Sequence, residues 1–182
     1  NWGGINNLLT WFKNLGTNII NCVTKAFYNI LQSKGMKTPP IEEIAVETIL
    51  VDLANGVIKL DSSGILYTSF NALQEISSKK GLGLELRNIT MEELGKLEGP
   101  TIAHVGGDHA VVVTGVKDGI VSVIESDGKE YKVPEAEFRK EWSGFALVQK
   151  IPGAIKPPAE KMPLIKTASS QAVFTGLEEP LP

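Results

Sequence analysis

The chain has 182 residues, with 18 lysines and arginines against 21 aspartates and glutamates and a formal charge of -3. That mildly acidic balance, with no Lys/Arg block, argues against a nucleic-acid partner, and no apolar run reaches the roughly 18 residues a membrane-spanning helix needs, so the chain as it stands is expected to be soluble. Its single cysteine, Cys22, excludes an internal disulfide framework and a cysteine-based zinc cluster, and no cofactor or metal is expected.

In chain order, apolar residues at Ile5, Leu8, Leu9, Phe12 and Leu15, then at Ile19, Cys22, Val23, Ala26, Phe27, Ile30 and Leu31, follow the spacing of amphipathic helices. Gly16-Thr17-Asn18 divides the run into two helices meeting at a corner. Gly35 ends the second, and Pro39-Pro40 prevents its resumption. A helix is predicted over 41–54, with Glu42 and Glu43 at its positive end, and another over 68–79 after a turn at Ser62-Ser63-Gly64. From Gly81 the period changes. Alternation over 82–87 and a helical turn at 91–96 precede strands at 101–105, 109–116, 120–125 and 129–133. A short helix over 135–142 follows Pro134, and 145–149 is a last strand. Helices first and strands second predict an α+β domain with a largely antiparallel sheet over residues 1–150. Beyond it, residues 151–182 are proline-rich and aperiodic, and read as a linker or surface-hugging tail.

Two residues stand out chemically. Cys22 lies on an apolar helical stripe, where a free thiol often serves as a small hydrophobe. Asn21, however, is a good N-cap. A helix starting there puts Cys22 in the first turn, where unpaired N–H groups and the helix dipole favour thiolate. A nucleophilic cysteine needs a base, and the chain has two histidines. His104 reads as an ordinary strand histidine hydrogen-bonded to a neighbour. His109 opens the most apolar strand directly after Gly106-Gly107-Asp108, and a ring at such a rim has one dry and one open side, which suits a general base. The hairpin turning at Lys117-Asp118-Gly119 brings 125–127 back towards His109, so either Glu125 or Asp127 is placed to orient the imidazole.

Further segments matter by their order: 64–73 (GILYTSFNAL), 81–86 (GLGLEL), 97–105 (LEGPTIAHV), 109–113 (HAVVV), Glu135-Ala136-Glu137-Phe138 and Trp142-Ser143-Gly144. Together with a cysteine at a helix start, they resemble the bacteriocin-processing, double-glycine leader peptidases over about residues 15–150. The resemblance implies a papain-like fold and a cysteine peptidase acting on a peptide or protein substrate, after small residues such as Gly-Gly. Cys22 would be the nucleophile, His109 the base and Glu125 the orienting acid, at a place where the family usually has Asp followed by Pro. The family's nucleophile sits in Asp-Cys-Gly, and here the segment reads Asn21-Cys22-Val23. Its oxyanion glutamine, about six residues earlier, is replaced by Gly16, so Asn18 is the residue expected to supply the amide.

These departures favour an alternative, a catalytically impaired domain that binds peptides within a larger assembly. An acyl transfer to amines is a third reading. The chain starts at Asn1 and is expected to be a fragment or a processed product, with a transporter or another flanking domain as its neighbour. A cytoplasmic or membrane-associated location follows if it is transporter-linked, and an extracellular one if it is processed, in which case the sequon Asn88-Ile89-Thr90 gains meaning. Gly3-Gly4 is expected to belong to a flexible terminus.

Overall fold

The computed structural model describes residues 22–56, 59–60, 66–107, 109–125, 128–149, 164–166, 174 and 177–178. The helix expected over 5–15, the Gly16-Thr17-Asn18 corner, Gly3-Gly4 and the turn at Ser62-Ser63-Gly64 lie outside these residues.

Helix α1 (Cys22–Ser33) buries its apolar stripe of Ala26, Phe27, Ile30 and Leu31. It ends in a Schellman motif, in which Met36 N–H donates to Leu31 O (3.1 Å) and Gly35 N–H to Gln32 O (3.0 Å). Gly35 sits at φ +65°, a left-handed conformation that costs a residue with a Cβ. Helix α2 (Ile41–Ala54) starts behind Pro40. Strands β1 (Lys59–Leu60) and β2 (Leu66–Ser69) pair, and β2 runs directly into helix α3 (Phe70–Lys79). The helix expected from 68 therefore yields its first two residues to a strand, because Ser69 caps α3 by accepting from Ala72 N–H at 3.1 Å.

Strand β3 (Leu84–Asn88) leads to helix α4 (Met91–Lys96), whose start carries a Thr90/Glu93 capping box. Next come β4 (Thr101–Val105), β5 (His109–Lys117), β6 (Ile120–Ile124) and β7 (Glu130–Pro134), a meander of antiparallel hairpins. Helix α5 (Glu135–Glu141) and strand β8 (Trp142–Gln149) follow, and β8 returns to pair with both β4 and β3. Helix α5 stops one residue earlier than expected and β8 begins three earlier. Trp142 instead takes extended backbone, pairs with Val105 and sends its indole N–H to Phe145 O (3.0 Å).

The segment expected to be a linker or surface-hugging tail pairs with the domain where it is described. Strand β9 (Leu164–Lys166) adds to β2, and β10 (Leu177–Glu178) adds to β7. Among the described residues, the strand order is β10-β7-β6-β5-β4-β8-β3 in one sheet and β1-β2-β9 in the other. The fold is the α+β arrangement that the order of elements predicts. No helix among the described residues is long and apolar enough to cross a membrane.

Both faces of the large sheet are covered. Ile102, Ala110, Val112 and Leu147 pack with α1 and α3, while Ala103, Val105, Val111, Val113 and Val123 pack with Phe138 and Phe174. Strands buried on both sides need no polar alternation. That is why 101–105 and 109–113 read as nearly continuous apolar runs.

Candidate active site

The β4–β5 hairpin closes on the pair Val105↔His109. Its turn needs Gly106 and Gly107 at φ +60° and +83°, and Gly106 N–H donates to Glu141 O (2.9 Å), tying the turn to the end of α5. His109 is thereby held at the first position of β5, with a side-chain exposure of 1%.

Strand β6 ends at Ile124, and Glu125 leaves the ladder in a turn. Its N–H donates to Lys129 O (3.1 Å) and its carbonyl accepts from Gly128 N–H (2.9 Å). The Val112↔Ile124 register, continued by one residue, sets Glu125 across from Val111, two positions along the face that also holds His109. The long glutamate side chain covers that diagonal, and His109 Nε2 meets Glu125 Oε2 at 2.7 Å. The other carboxylate oxygen, Oε1, accepts the backbone N–H of Phe174 at 3.0 Å. Glu125's side chain has no solvent exposure. A carboxylate removed from water costs several kcal/mol unless its oxygens are bonded, so these contacts are conditions of the fold. An ionised carboxylate only accepts. With the carboxylate accepting, the imidazole proton of this contact sits on Nε2.

Asn21, the expected N-cap, lies outside the described residues, and the described part of α1 opens at Cys22. Four residues on, Ala26 lines a cleft of about 270 Å3 that α1 forms with the β5–β6 hairpin; Asn29 joins it from the helix, and Ala110, Ile124 and Glu125 from the sheet. Ala110 directly follows His109. His109 itself does not line this cleft: it alternates with Ala110 along β5 and shares the face of Val105 and Val111, on the Phe138 and Phe174 side of the sheet, whereas Glu125 borders the cleft. The Cys22 side chain, Asn18 and Asp127 lie outside the described residues.

His104 is used structurally. The Ser143 hydroxyl donates to His104 O (3.2 Å), so His104 Nδ1–H donates to Ser143 Oγ (2.8 Å), and the ring meets Phe70 edge-on at 5.6 Å. Gly144, next in that Trp-Ser-Gly segment, is at φ +90°, and a Cβ there would come within 2.8 Å of Asn88 Oδ1.

A second buried carboxylate lies at the start of α3. Asp52 accepts from Ser69 N–H (2.9 Å) and from the Ser69 hydroxyl. Burial pushes its pKa above the usual 3.8; the two Ser69 hydrogen bonds oppose that shift, and the nearby Glu75 charge adds to it.

Sequence reasoning missed Phe174, the one aromatic residue of 151–182. It is buried, stacked on Phe138 with ring centroids 5.4 Å apart. A solitary aromatic in a polar, proline-rich stretch is the signal that could have marked it.

The family model described as the Peptidase C39 family matches residues 47–151, which takes in His109 and Glu125 and starts after Cys22. The ABC transporter ATP-binding MG390 homolog of Mycoplasma pneumoniae is 34% identical over 110 residues, covering 60% of this chain and 16% of that protein. The chain thus spans about a sixth of the curated relative it matches. Among solved structures, a double glycine motif protease from an AMS/PCAT transporter, in complex with the leader peptide, superposes with a TM-score of 0.53. That match is 23% identical and covers 70% of this chain and 82% of that one. The peptidase domain of Streptococcus ComA gives a TM-score of 0.52 at 19% identity, covering 71% and 92%. At these identities the likeness is one of fold: helices against an open antiparallel sheet, as in papain-like peptidase domains.

Proposed function

The chain belongs to the Peptidase C39 family, and from that premise we propose that it is a cysteine peptidase cutting leader or processing sites after Gly-Gly. The observation that carries this reading is the buried 2.7 Å hydrogen bond between His109 and Glu125, whose acid also borders the cleft lined by the Cys22 helix. A histidine with one nitrogen committed to a carboxylate keeps a fixed tautomer and holds an imidazolium well.

In this reading the dipole of α1 and the His109 imidazolium favour the Cys22 thiolate. The sulfur attacks the carbonyl carbon of the second glycine, and the oxyanion is held by the Cys22 N–H and the Asn18 amide. His109 Nδ1–H protonates the departing amine as the C–N bond breaks, leaving a thioester. His109 then takes a proton from water, whose oxygen attacks the thioester, and the thiolate leaves. Glu125 accepts the hydrogen bond from Nε2–H throughout and keeps the ring in register.

The relative of which this chain spans 16% and the transporter-borne fold neighbours support a flanking transporter in the same polypeptide, with the peptidase at the membrane by way of it. The test is to incubate the protein with Gly-Gly leader peptides, and separately with iodoacetamide, as wild type, Cys22→Ala and His109→Ala. Cleavage lost in both variants, with slower Cys22 alkylation in His109→Ala, is expected. Equal alkylation rates together with no cleavage by wild type would overturn the peptidase reading. An acyl-transfer product formed with added amines would redirect it.

A further inference from the structure

Glu125 has one more side-chain torsion than an aspartate. The hydrogen bond to His109 is made at Oε2, so a donor on Oε1 helps to fix that last torsion. One donor that meets Oε1 is the Phe174 N–H, 49 residues along the chain and beyond the 47–151 span of the family match. Its own position is set on two sides. The Phe174 ring lies on Phe138 at 5.4 Å with planes 21° apart, and three residues on, Leu177 pairs with Lys132 and Glu178 with Tyr131 at the edge of the sheet. A donor fixed in advance, in a dry site, aims the carboxylate without reorganisation during turnover.

We propose that the Phe174 backbone N–H is a positioning group for catalysis, holding the Glu125 carboxylate and through it the His109 ring. The proposal rests on the peptidase reading above. It makes the segment after residue 151 part of the working enzyme. The group touches neither substrate nor nucleophile, so its loss is read in turnover and pH profile while substrate affinity stays as it was.

The experiment uses the full chain with Phe174→Pro, which removes the N–H, and Phe174→Leu, which keeps it with an apolar side chain. Phe174→Pro is expected to lower kcat about tenfold relative to Phe174→Leu, the loss that fits a hydrogen bond to a charged group. KM should not change, and the alkaline limb of kcat should move to lower pH, because an imidazolium beside a looser carboxylate gives up its proton more easily. Equal kcat and superimposable pH profiles for the two variants would overturn the proposal. If Phe174→Pro does not fold, Phe174→Gly decides. Faster amide exchange at residue 174 with a lowered kcat supports the proposal, and faster exchange with unchanged kcat overturns it. Cys22 alkylation by iodoacetamide reads the same contrast without a peptide. A wrong substrate class leaves cleavage absent in every variant and the alkylation contrast intact, whereas a wrong positioning role erases both contrasts.

Discussion

At His109 and Glu125 the chemistry depends on which atoms accept. Glu125 accepts at both oxygens, from His109 Nε2 and from Phe174 N–H. A glutamine offers one acceptor and one NH2 group, so Glu125→Gln sets a donor against a donor on one side or the other. Assays of Glu125→Gln are expected to show kcat lowered about 100-fold or more, and denaturant titration a stability loss of about 1–3 kcal/mol. Unchanged turnover would exclude Glu125 as the orienting acid. His109 and a nearby acid were legible in the sequence because a polar ring opening an apolar strand must be satisfied. The choice between Glu125 and Asp127 was not legible from geometry, since it turns on where β6 ends and how far a diagonal side chain reaches. Asp52, which the sequence does not distinguish from the other acids of α2, yields a pH prediction. Its folded pKa is raised above 3.8 by burial, so between those two values the native state holds more protons than the unfolded one. The linked stability is present below 3.8 and is lost as pH rises through the folded value. Asp52→Asn keeps an acceptor for Ser69 and should flatten that part of the curve of unfolding free energy against pH.

At the scale of elements, α3 depends on its first hydroxyl. Ser69 accepts from Ala72 N–H and donates to Asp52. Ser69→Ala removes the cap and one of Asp52's two Ser69 bonds, so thermal or urea unfolding should show a loss of about 2 kcal/mol, above the usual cap value. Gly144 offers a second check. At φ +90° and with Asn88 Oδ1 2.8 Å from a notional Cβ, Gly144→Ala should cost about 1–3 kcal/mol. Asn88→Ala in the same chain should relieve only the steric part. Helix α2 matched its expected bounds because proline fixes one end and the apolar run sets the length. The start of α3 did not, because β2 pairs with β1 and β9, and such partners leave no local mark on 66–69.

For the whole molecule, the boundary at 150 was drawn from composition, and composition responds to proline content. It does not register a single buried ring or short strands whose partners lie far back in the chain. Ending the chain after residue 151 removes β9, β10 and Phe174, uncovering Phe138 and one oxygen of Glu125. The midpoint of thermal unfolding should drop by about 5 °C or more for the apolar burial lost. A truncated chain melting with the intact one would show that the segment contributes nothing to the domain.

The two bonds on Glu125 also differ in sequence reach, 16 residues to His109 and 49 to Phe174. Closing the longer loop costs about 1 kcal/mol more chain entropy, and the shorter one belongs to a meander of adjacent hairpins. The histidine contact is therefore expected to form before the Phe174 contact as the chain folds. On heating, the contact between Phe174 N–H and Glu125 is expected to open before the sheet does. Loss of turnover on heating should then precede loss of the β-sheet signal in circular dichroism, so that inactivation of this enzyme begins as local undocking.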